Sequence, residues 1–64
     1  MTPSPNDIFA LRLRRGESRD RFARRFAVAT RTIESWEQYT PAGRPRRIPR
    51  GLALAKLRTL LRQP

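Results

Sequence analysis

Apolar residues recur along this chain in four blocks with helical spacing, divided by polar, glycine- or proline-rich breaks. In the first block Ile8 and Leu11 share one face with the aliphatic stem of Arg15. Phe9 and Leu13, four apart, make a second apolar stripe expected to wrap toward the last helix. Ser4-Pro5-Asn6-Asp7 supplies a start: a serine N-cap, proline at the first helical position and a carboxylate at the third. Gly16 supplies the stop. The pattern predicts a first helix over about residues 5–15, after a polar lead, residues 1–4, expected to fray.

The second block opens at Ser18, a cap, with Asp20 favourable to the dipole in the first turn. Phe22, Ala23 and Phe26 form its inner face, so a second helix is predicted over about 18–26. Ala27-Val28-Ala29 reads as a turn, followed by a third helix over about 30–39 with Ile33 and Trp36 facing inward. Proline and glycine exclude a helix from Thr40 to Ile48, an arginine-rich loop. Pro49 opens a fourth helix over about 49–62, weakened at its first turn by Gly51. Leu54, Leu57 and Leu61 suffice for its core face, which leaves Leu52 and Leu60 as candidate dimer contacts. In so small a chain the core can equally consume all five leucines. The expected fold class is all-α, one small four-helix domain over 1–64.

Composition narrows the chemistry. A chain of 64 residues buries only about 60% of its unfolded surface, so its stability should be modest. It has no cysteine and no histidine, hence no disulfide, no thiolate metal site and no imidazole base. Five carboxylates form no recognisable catalytic constellation, so neither enzymatic activity nor a cofactor, metal or small-molecule effector is expected. No apolar run approaches the roughly 18 residues of a membrane span. The N-terminus lacks a basic-then-apolar signal pattern, which makes the cytoplasm the default location. The net charge is +10, from fifteen cations against five anions, and every cation except Lys56 is arginine. A GC-rich codon bias accounts for arginine over lysine but not for the imbalance. That imbalance points first to nucleic acid and second to an anionic membrane surface.

Residues 16–37 carry the sharpest signal. Ala23 is small enough to let two helices approach, Val28 closes the turn, Ile33 answers from the next helix, and Phe22 and Phe26 cover the seam. Trp36, in register with Ile33, fits the core better than a base stack. This is the helix-turn-helix arrangement, whose second helix enters the DNA major groove. The segment Ile8–Glu37 resembles the Cro and phage-repressor (XRE-type) DNA-binding family. The likeness rests on Leu11-Arg12, Ser18, Phe22-Ala23-Arg24-Arg25-Phe26, Val28, Thr32-Ile33 and Trp36-Glu37, with no insertion or deletion from Gly16 to Glu37. It covers about half the chain, and the fourth helix matches only in kind.

The resemblance implies a lambda-repressor-like fold and a set of roles. Thr30, Arg31, Thr32 and Ser35 would face the major groove, Arg31 with a guanidinium able to bond guanine O6 and N7 together. Ser18 and Arg19 would contact phosphate, as would Arg44, Arg46 and Arg47 in the loop. Arg12 and Glu37 match a structural salt bridge. Three departures stand out. Ala27 replaces the turn glycine, at a cost on the order of 1 kcal/mol for a left-handed backbone. Glu17 replaces an apolar residue. Ala29 replaces the usual serine or threonine, with Thr30 as the substitute cap. The loop before the fourth helix is longer than usual, and the fifth helix of larger relatives is missing. Arg14, Arg15, Arg21, Arg24, Arg25 and Arg50 fit either phosphate contacts or a solvated face, with at least one of Arg24 and Arg25 pointing away from DNA. Arg58 and Arg62 suit a helix C-terminus. Tyr39 fits both a phosphate donor and an edge of the core.

The function expected from this resemblance is a homodimeric, sequence-specific repressor of a small phage- or plasmid-like operon, its own promoter included. It would bind an inverted-repeat double-stranded operator, at the nucleoid of a bacterial or phage-infected cell. Two rivals remain. One is an antitoxin-type module binding a partner protein through the fourth helix as well as DNA. The other is a nonspecific polycation on RNA or membrane. Cations spread over every element, and aromatics at core positions, weigh against the latter.

Overall fold

Ser4 converts an extended lead into α1 (Pro5–Arg14) through a reciprocal pair of bonds. Asp7 N–H donates to Ser4 Oγ at 3.1 Å, and Ser4 N–H donates to Asp7 Oδ2 at 3.0 Å. The computed structural model describes residues 2–63. Pro3 and Pro5 are buried, so the described part of the lead is pinned rather than frayed. Thr2 and Pro3 share a shallow cleft with Arg58, Leu61 and Arg62 near the chain's other end.

α1 closes through Gly16, at φ +65°. Gly16 N–H donates to Leu13 O at 3.0 Å and Glu17 N–H to Arg12 O at 3.3 Å, which satisfies two of the last carbonyls. α2 (Arg19–Phe26) follows, with Arg21 N–H donating to the Ser18 cap at 3.2 Å. It closes the same way, except that alanine takes the left-handed position: Ala27 has φ 55° and ψ 42°. Ala27 N–H donates to Arg24 O at 3.2 Å and Val28 N–H to Ala23 O at 3.0 Å. Lys56 Nζ donates to Arg25 O at 2.7 Å and serves one more carbonyl at this helix end.

α3 (Thr30–Trp36) stops short of the expected boundary near Tyr39. The cause is a small hairpin. Arg46 N–H donates to Gln38 O at 2.9 Å, Thr40 N–H to Arg44 O at 2.7 Å, and Tyr39 pairs antiparallel with Pro45. Pro41-Ala42-Gly43 forms its tip, closed by Gly43 N–H on Thr40 O at 2.8 Å, with Gly43 at φ +80°. A proline-led turn followed by a left-handed glycine is what a three-residue hairpin loop requires. α4 (Gly51–Arg62) also begins later than expected. Pro49 is buried ahead of it, and Arg50 is the extended N-cap.

One core joins the four helices: Ile8, Leu11, Phe22, Ala23, Phe26, Ile33, Trp36, Leu57 and Leu60, with Val28, Ala53 and Leu61 packed against it. Phe26 meets Phe22 edge-on at 4.9 Å between centroids and Trp36 edge-on at 5.7 Å. Two expectations are corrected here. Leu60 faces the core and is not a surface leucine; Leu52, at 91% exposure, is. Phe9 and Leu13 do not wrap toward α4 but stand at 41% and 55% exposure, with the Arg12 guanidinium over the Phe9 ring. No helix among the described residues is long and apolar enough to cross a membrane.

Candidate nucleic-acid interface

The core sets the attitude of α3. Ile33 and Trp36 are buried against Phe22, Ala23 and Phe26, which turns the opposite side of the helix outward. Arg31 is exposed on that side, while Thr30, Thr32 and Ser35 are half-buried. Thr30 does not cap α3. Ala29 holds the N-cap position without a side-chain bond, and Thr30 Oγ1 instead donates to Asp20 Oδ1 of α2 at 2.7 Å. Thr32, expected among the base readers, lines a groove shared with the loop.

That groove has a volume of about 730 Å³ and runs between α3, the hairpin and the start of α4. Val28, Thr32, Trp36 and Ala53 form part of its lining, and Arg46, Arg47 and Arg50 supply its charge. α4 begins there with no side-chain cap and no acidic residue in its first turn. Its first N–H groups are therefore open to an outside acceptor. The hairpin is what delivers the arginines. By folding Arg44 and Arg46 back against Thr40 and Gln38, it carries Arg46 and Arg47 to the α3 side of the molecule.

No carboxylate is among the described residues that line the groove. Glu37, with a side chain 2% exposed, takes Arg12 Nε at 2.7 Å and Arg12 Nη2 at 3.1 Å in a bidentate pair. Arg12 Nη1 also donates to Glu17 O at 3.0 Å, which ties α1, the following turn and the end of α3 together. Arg19 Nε approaches the same Glu37 at 3.4 Å while its side chain stays 45% exposed. Glu17, the departure from an apolar residue, lies between Arg25 and Arg15. The hydrogen bond from Arg25, aided by the charges of Arg25 and Arg15, holds the Glu17 carboxyl below the ordinary 4.5 against a smaller opposing effect of burial. Arg25 is raised in turn, chiefly by the same hydrogen bond.

Arg12, Arg15, Arg19 and Arg25 share two glutamates. Arg31, Arg44, Arg46, Arg47 and Arg50 have no carboxylate within ion-pair distance among the described residues, and the same is true of Arg14, Arg21, Arg24 and Arg62 on the other helices. Of the residues assigned from sequence, Arg46, Arg47 and Thr32 come together in the groove. Arg44 is exposed on the hairpin, where its backbone is bonded to Thr40. Ser18 is engaged as the α2 cap, and Arg19 is drawn toward Glu37. Two participants had no specific role in the sequence pattern. Arg50 borders the groove because Pro49 is packed below it, a position that Pro49-Arg50-Gly51 can be read to mark. The Asp20–Thr30 bond spans ten residues and leaves no periodic trace. No protein-family model matches the chain, and comparison with curated proteins and with solved structures finds no match either.

Proposed function

We propose that the chain is a sequence-specific double-stranded DNA-binding regulator, in which α2, the turn at 27–29 and α3 work as a helix-turn-helix. The observation that carries this reading is the arginine groove. Arg46, Arg47 and Arg50 converge without carboxylate partners beside the uncapped start of α4. Phosphate oxygens are matched to such a site by charge and by geometry. The groove abuts α3, so a backbone phosphate seated in it brings Arg31 toward a neighbouring base edge. The resemblance to Cro and phage repressors supports the same assignment.

Two copies on an inverted repeat would gain affinity and selectivity, with the exposed Leu52 as a candidate contact between them. Repression by occupancy, within the cytoplasm, then needs no further domain or effector. A second reading rests on Leu52 together with Ile48, at 45% exposure: a partner protein covers the start of α4.

Selection of bound duplexes from a random library, at about 0.15 M salt with competitor DNA, tests the first reading, since purely electrostatic binding is weak there. An enriched inverted repeat is the expected result. Enrichment of nothing, with binding only at low salt, would replace specific recognition by charge-driven association.

A further inference from the structure

A threonine hydroxyl has one proton to donate and two lone pairs to accept with. The proton of Thr30 is committed, because Oγ1 donates to Asp20 Oδ1 at 2.7 Å. The bond joins the first turn of α2 to the beginning of α3. Asp20 is exposed and Thr30 half-buried, so the pair is open to an outside ligand. What it presents outward is acceptors only: the lone pairs of Thr30 and the remaining capacity of the carboxylate.

An acceptor-only pair is selective. In the major groove guanine presents N7 and O6, and thymine presents O4, all acceptors. Phosphate oxygens are acceptors as well. Cytosine N4 and adenine N6 are donors. We propose that Asp20 and Thr30 form a specificity-determining pair that favours cytosine or adenine at one base-pair position and disfavours guanine and thymine there. The inference rests on the DNA-binding reading above. It gives a recognition role to a carboxylate that also suits the start of α2 and links that helix to α3.

The test is duplex selection with the wild type, Thr30→Val, Asp20→Ala and Asp20→Asn, each checked for helix content by circular dichroism. Thr30→Val keeps the shape, removes the hydroxyl and so identifies the position that Thr30 faces. At that position the wild type should prefer cytosine or adenine by about tenfold. Asp20→Ala, which releases the hydroxyl proton, should reduce the preference to about twofold or less. Asp20→Asn can still accept that proton and should retain most of it, a rescue that a charge-only role would not give. Guanine or thymine at that position, an Asp20→Ala pattern like the wild type's, or no position altered by Thr30→Val would each overturn the pair's role and leave DNA recognition standing. A wild type that enriches no duplex removes the DNA reading and this inference together. Should Asp20→Ala fail to fold, the wild type, Thr30→Val and Asp20→Asn still decide the matter.

Discussion

Ala27 is the one non-glycine residue with positive φ among the described residues, at 55°. Its methyl group opposes a backbone that the α2 closure requires, because both capping bonds depend on it. Ala27→Gly should therefore raise stability by about 0.5–1 kcal/mol, less than the full strain because glycine is freer when unfolded. Urea denaturation measures this, and an unchanged or lowered midpoint would mean that the left-handed alanine is not strained. The turn's other requirements are met in ordinary ways, with Val28 packed on the core and Ala23 buried beneath it.

Between elements, Glu17 does for the α1–α2 junction what an apolar residue would do by burial, but with charge. Its carboxyl sits below the ordinary 4.5 in the folded protein, so its stabilisation is complete above that value and is lost as pH falls through the folded one. Glu17→Gln should cost about 0.5–1 kcal/mol at neutral pH. It should also flatten the fall in stability that thermal melts show as pH drops below about 4.5. Equal acid sensitivity in both proteins would assign that fall to other carboxylates. At this scale much was legible beforehand. Ser4 with Asp7, Gly16 and Ser18 mark helix ends by local chemistry, and Phe22, Phe26, Ile33 and Trp36 mark inner faces by spacing. Three features were not. The end of α3 is decided by a hairpin whose partner strand lies several residues on. Leu60 and Leu52 differ only in where the other helices happen to lie. The groove needs Arg46, Arg47 and Arg50 brought to Thr32 by tertiary folding.

For the molecule as a whole, a net charge of +10 on 64 residues opposes compaction through self-repulsion. Glu37 and Glu17 relieve part of it by pairing with Arg12, Arg19, Arg15 and Arg25. Raising salt from about 0.01 to 0.15 M shortens the screening length from about 30 to 8 Å. The melting temperature should therefore rise over that range while affinity for duplex DNA falls. A melting temperature that drops with salt would show that the Arg12, Arg19, Glu37 and Arg25, Glu17 pairs outweigh the repulsion. The same distribution of cations has a practical side. Lys56 is the chain's only lysine, and its amine is held at the end of α2, outside the groove lining. An amine-selective label would consequently leave every arginine untouched, and its rate of attachment at Lys56, followed separately from that at the N-terminal amine, would read how firmly that side chain holds the end of α2 in the presence of any ligand.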